Sequence, residues 1–206
     1  MSAEEETGAR RLGRRGVLKG STALWVTPSV VSFAAIATAA GSTIRPYITS
    51  SQNVVILDPP PASIKRNVME SDTDTFVFQE TTCAPLAQDV VVDRASNGVF
   101  SGSSSQGAVI PAGTLAATFI VNVDRATSGL NTGSVSFSDP ILGLSYRRAS
   151  FEAGTAQFGL PGLCYPTTTG TYFEGNDDLT LAGDTFAWEA QMGGIWADVA
   201  RVIVAC

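Results

Sequence analysis

The sequence predicts an all-β domain, a β-sandwich of jelly-roll type, preceded by an N-terminal signal segment that is not part of the working fold. Three observations predict it. Apolar and polar residues alternate through most of the chain after residue 53, and a period of two puts successive side chains on opposite faces of a strand. The alternating runs recur about every ten to twelve residues with Gly, Pro, Asn, Asp and Ser between them, the spacing of short strands joined by turns. No window carries a sustained apolar repeat at helical spacing, and only residues 152–160 suggest a short helical turn over the sheet.

Residues 1–39 read as the signal. Two arginine pairs stand near the start, and the second lies in Gly13-Arg14-Arg15-Gly16-Val17-Leu18-Lys19, a pattern that resembles a twin-arginine export signal. An apolar run follows and closes on Ala37-Thr38-Ala39, the small-x-small site that a signal peptidase accepts. A run of about twenty residues also has the length of a membrane span. Pro28 and several hydroxyl side chains interrupt this one, so the expectation is cleavage, with no stable span afterwards.

Residues 40–52 are small and polar and read as a linker, leaving 53–206 as the sandwich domain. Within it, 53–57 is a short β-branched run stopped by Pro59-Pro60-Pro61, which removes backbone donors and fixes φ. The 75–80 run sets Phe76 and Phe78 on one face, and 89–93 is a Val run bracketed by charge. Residues 96–107 are rich in Ser and Gly and read as an exposed, mobile loop. Alternation resumes over 115–124, 134–138 and 141–146, with Asp139-Pro140 as a turn, and the last strands fall at 171–173, 179–181, 185–191 and 199–204.

Composition excludes several functions. The full chain has 13 basic and 19 acidic residues; the signal carries five of the former and three of the latter, so the mature domain holds 8 and 16, a net charge of about −8. That surface repels phosphate backbones, and Lys65-Arg66 and Arg147-Arg148 are isolated pairs, so nucleic acid is not an expected partner. Histidine is absent, which removes Ser-His-Asp and Cys-His catalysis and every His-containing zinc site. Lys65 is the only lysine in the mature chain and no Ser-x-x-Lys occurs there. The chain therefore reads as a non-enzyme. Cys83, Cys164 and Cys206 allow three pairings with one thiol over. The pairing favoured here is Cys83 with Cys164, both in loops between strands, with Cys206 free or joined to another molecule.

Taken in order, Asp58-Pro59-Pro60-Pro61, Glu70-Ser71-Asp72-Thr73-Asp74-Thr75-Phe76-Val77-Phe78-Gln79-Glu80, Ile110-Pro111-Ala112-Gly113-Thr114, Ser134-Val135-Ser136-Phe137-Ser138-Asp139-Pro140-Ile141-Leu142-Gly143, Leu160-Pro161-Gly162 with Tyr165-Pro166-Thr167, and Arg201-Val202-Ile203-Val204 resemble a group of bacterial secreted β-domain proteins. Many of that group carry PEP-CTERM-type sorting tails. The resemblance runs from about Val54 to Val204 and implies an extracellular or envelope-associated domain. It carries over no activity and no catalytic residue. This sequence shows no sorting tail before Cys206, and Cys83 and Cys164 stand where the group implies other residues, which suggests a local disulfide.

Acidic residues are what remains for chemistry. Glu174, Asn176, Asp177 and Asp178 form an oxygen-rich turn of the kind that can hold calcium, the one cofactor this sequence suggests. The competing reading is a polar turn held by its own hydrogen bonds, and the spacing is not that of an EF-hand. Glu80, Glu152, Glu174 and Glu189 are candidates for a glycosidase pair if two face each other across a sugar. Trp188, Trp196, Tyr165, Tyr172 and Phe173 are candidates for a sugar-stacking platform, against core packing as the commoner fate. The expected function is a secreted, non-enzymatic sandwich acting at the cell surface or in the extracellular matrix, in adhesion or assembly. Its expected partners are surface or matrix components, glycans among them. A carbohydrate-binding module is the alternative, and a carboxylate-dependent glycoside hydrolase stands third.

Overall fold

The computed structural model describes residues 46–167, 172–193 and 197–206. The export pattern at Arg14 and Arg15, the cleavage site at Ala37 and Ala39, and Trp196 lie outside the described residues.

Twelve strands and one helix follow in chain order: β1 (Ile48–Gln52), β2 (Val54–Ile56), β3 (Thr75–Pro85), β4 (Val90–Val92), β5 (Gly98–Ser101), β6 (Ala108–Ile110), β7 (Leu115–Asp124), β8 (Ser128–Phe137), β9 (Ile141–Ser145), α1 (Arg148–Phe158), β10 (Asp178–Ala182), β11 (Thr185–Gly193) and β12 (Ala197–Ala205). They make the β-sandwich that the alternation predicts. The first sheet runs β1-β8-β11-β10-β5, the second β2-β3-β7-β12-β9, and β4 with β6 forms a separate ribbon. Pairing is antiparallel except between β2 and β3. No helix among the described residues is long and apolar enough to cross a membrane.

Alternation dictates the main core. On β11, Phe186, Trp188, Ala190 and Met192 point inward while Glu189 and Gln191 point to solvent. They meet Phe119, Val121, Val202 and Val204 of the second sheet, with Phe119 and Phe137 ring centroids 4.7 Å apart. Such burial is worth roughly 1.5–3 kcal/mol per large apolar side chain. β7 and β12 are instead buried on both faces. Their outer face is covered by α1 and by the chain around Ile64, and Phe78, Ile120, Phe151, Tyr172 and Val199 form a second apolar layer there.

Both sides of the sandwich are closed by chain that changes sheets. β1 and β2 form one nearly continuous ribbon that passes from the first sheet to the second at Asn53, whose φ is 54°. Asparagine tolerates that left-handed conformation better than most residues, and its side-chain amide donates to the Thr132 carbonyl at 2.8 Å. On the other side, Asp93 and Arg94 hydrogen-bond to Leu144 of β9 before the chain crosses to β5.

Four expectations need correction. The linker expected at 40–52 supplies β1, because Ile48 packs against the main core even though the rest of the strand is exposed. The Ser/Gly-rich stretch at 96–107 contains β5, anchored by buried Phe100 and paired with β10. The short turn expected at 152–160 is an 11-residue helix that starts at Arg148. Its buried side is thin, with Ser150, Phe151, Gly154 and Phe158, too few large apolar residues to give a clear helical period.

The fourth correction is the disulfide, which joins Cys83 to Cys206 and not, as expected, to Cys164; Cys164 is an exposed free thiol. β3 and β12 flank β7 on opposite sides, both in register with Ala116. Register slips between Thr81 and Ala84 bulge the end of β3, and the two Cα atoms come within 6.0 Å, inside the disulfide range. Cys164 is held elsewhere, exchanging backbone hydrogen bonds with Ala62 and Ile64.

Candidate functional site

The acidic turn before β10 is occupied by its own backbone. The Asp177 carboxylate accepts the Glu174 amide at 2.6 Å and the Gln191 amide at 2.8 Å, and the Asn176 side chain donates to the Gln191 carbonyl at 3.3 Å. Asp178 is exposed at the start of β10. Among the described residues no group of three or more His, Cys, Asp or Glu side chains is placed to hold a metal ion.

The aromatics are spent on packing. Trp188, Tyr172 and Phe173 are buried, and the Trp188 indole donates to the Asn131 side chain at 2.9 Å. Tyr165 donates its hydroxyl to Glu80 at 2.6 Å, and burial, reinforced by the Glu80 charge, pushes its pKa well above the ordinary phenol value.

The candidate glutamates are separated. Glu80 is fully buried under α1, where Arg201 holds it with two hydrogen bonds of 2.6 and 2.8 Å and Thr118 donates a third at 3.0 Å. Glu189 faces solvent on the outer side of the first sheet, and Glu152 pairs with Arg148 on the exposed side of the helix. Glu174 lines a cavity.

That cavity is a cleft of about 730 Å³ where α1 begins. One wall is the helix start, with Arg147, Arg148, Ala149 and Ala153; the other is the 102–105 loop with residues 172–175. Asp93 organises it from below. Its carboxylate accepts the backbone amides of Tyr146 and Arg147 at 3.0 and 2.9 Å, the Ser105 hydroxyl at 3.1 Å and the Ser150 hydroxyl. A carboxylate there neutralises the positive end of the helix dipole. The serine loop, expected to be mobile, is exposed but tied down. Tyr146 donates its hydroxyl to the Ser104 carbonyl, Ser101 donates to the Gly175 carbonyl at 3.0 Å, and the Gly102 amide reaches the Asp177 carbonyl at 2.9 Å. The Arg147 guanidinium is exposed and makes no hydrogen bond or ion pair among the described residues, whereas Arg148 is held by Glu152 and the Thr167 carbonyl.

Gly102 keeps the cleft in shape. A Cβ there would lie 2.3 Å from the Glu174 carbonyl oxygen, and backbone cannot swing away as a side chain can. Gly102→Ala is expected to cost about 1–3 kcal/mol, read from the urea midpoint. An unchanged midpoint would mean that the 102–105 loop is not wedged against residues 173–174.

Asp198 adds a pH dependence near the same turn. It is 5 % exposed and makes no hydrogen bond or ion pair among the described residues. Burial, aided by the charges of Asp177 and Glu174, raises its pKa well above the ordinary carboxyl value. A raised folded-state pKa contributes stability below about pH 4 that is lost as pH rises through the folded value. Asp198→Asn is expected to match the wild type in acid and to exceed its stability at neutral pH, measured by urea unfolding across pH 3.5–8. Asp124, pushed up to about 6 by burial, contributes a weaker trend of the same sign between about pH 4 and 6.

Sequence reasoning did not single out Asp93 or Arg201 as anchors, and it read the serine loop as mobile, not tied. Arg201 had a usable signal, a charge on one face of an otherwise apolar strand. Arg147 was noticed only as half of an isolated basic pair. Comparison of the chain with protein-family models, curated proteins and solved structures finds no match.

Proposed function

We propose that this chain is an exported, non-enzymatic β-sandwich that acts at the cell surface or in the extracellular matrix, in adhesion or assembly, by holding a partner. The observation that carries the reading is the cleft at the start of α1. Its loop walls are fixed by hydrogen bonds, and its exposed side chains offer donors and acceptors. A pre-formed concavity with a few placed polar groups is what a binding site requires. Export is supported by the Arg14-Arg15 pattern and by the Cys83–Cys206 disulfide, since such bonds persist mainly in oxidising compartments. Fractionation of cells expressing the full chain tests it. A mature protein beginning near Ala40, in the medium or on the surface, is expected; accumulation only in the cytoplasm would sink the reading.

The second reading, a carbohydrate-binding module, is favoured by the same cleft, whose apolar patches beside hydroxyls and charges suit a sugar ring. Glycan-array binding, with and without calcium, is the direct measurement. Absence of binding in both conditions would remove it.

A further inference from the structure

Resting on that second reading, we infer that the cleft takes a saccharide bearing one carboxylate, such as a terminal uronic acid, with Arg147 binding the acid group. The inference starts from an imbalance of partners. Every other polar group at the base of the cleft is in use: Asp93 accepts four donors, Ser105 and Ser150 donate to it, and Arg148 is divided between Glu152 and a carbonyl. Arg147 stands at the rim without a partner among the described residues. Guanidinium recognises carboxylate through two parallel hydrogen bonds, a stronger and more directional contact than a neutral hydroxyl offers.

The opposite wall carries Glu174, whose side chain is exposed and accepts no hydrogen bond among the described residues. A carboxylate can accept from sugar hydroxyls but repels a second acid, so it sets the direction in which the ligand lies. Ala149 and Ala153, exposed on the helix wall, give apolar surface for the C–H face of a ring. The cleft volume of about 730 Å³ accommodates one or two sugar residues. One acid group is specified, not a polyanion, because the mature net charge of about −8 repels an extended negative chain.

Calorimetric titration of the mature protein tests this with two disaccharides, one ending in glucuronate and its neutral glucose counterpart. The acidic sugar is expected to bind at least tenfold tighter. Arg147→Gln should abolish that margin without changing the melting temperature, and Lys65→Ala, remote in the chain from the cleft residues, should preserve it. Equal or tighter binding of the neutral sugar overturns the charge assignment and leaves the saccharide reading standing. No binding of either sugar overturns both. A short peptide with a free C-terminal carboxylate binding as tightly as the acidic sugar overturns the saccharide specificity. Retention of the margin in Arg147→Gln overturns the role of Arg147.

Discussion

Arg201→Met is expected to lower stability by about 3–5 kcal/mol, because it leaves Glu80 charged and buried without its counter-ion. Both side chains are wholly inaccessible, and the pair is part of a closed set of bonds. Arg201 also donates to the Phe151 carbonyl at 2.7 Å and the Thr155 hydroxyl at 3.1 Å, and its guanidinium lies 4.3 Å from the Phe151 ring centroid. Glu80 completes its coordination with Thr118 and Tyr165. The ion pair therefore bolts α1 and the chain at Tyr165 onto the second sheet. Gly154 makes room for it, since a Cβ there would come 2.6 Å from the guanidinium. The double variant Glu80→Gln/Arg201→Met should recover more than half of the loss, because much of the penalty is the orphaned charge and not the missing attraction. Urea unfolding supplies both numbers. A single-variant loss below about 1 kcal/mol would show that water reaches the site.

The second large effect is expected at the disulfide. Cys83 and Cys206 close a loop with a sequence separation of 123, for which the chain-entropy relation gives about 5 kcal/mol, with measured losses commonly about 2–5. Cys83→Ser/Cys206→Ser should lower the urea midpoint, and reduction of the wild type should lower it equally. Cys164→Ser should leave it unchanged, since that thiol is exposed and unpaired. A drop in Cys164→Ser with none in the double variant would reverse the pairing described here.

The sandwich was legible because strand periodicity survives wherever one face is wet, as on β11. β7 and β12 were read as strands too, at 115–124 and 199–204, but α1 and its neighbouring chain cover them from outside, so nearly every residue is buried and the alternation there did not mark a wet face. β1 escaped notice for the opposite reason: four of its five residues are exposed and only Ile48 packs inward. The disulfide was not legible at all. Which cysteine meets Cys83 depends on the bulge at the end of β3 and on β12 lying across β7, both products of long-range pairing. The cleft was hidden similarly, since its walls come from residues around 102, 147 and 174, far apart in the chain. Its anchor, Asp93, was visible only as the charge that ends a run of valines.

The Cys83–Cys206 bond has a mechanical consequence. Tension applied between Pro46 and Cys206 enters the chain at Cys206 and passes through the bond directly to Cys83. Everything between those two cysteines, including α1, the cleft and most of both sheets, is bypassed by the load and cannot be stretched out while the bond holds. Only the leader from Pro46 to Cys83 can lengthen, on the order of 130 Å at full extension, against roughly 550 Å for the reduced chain. A pulling experiment should therefore show a short extension in oxidising buffer and a several-fold longer one after reduction. In a protein tethered at both ends, strain that peels away the first strands would leave the chain between Cys83 and Cys206 unextended for as long as the bond holds.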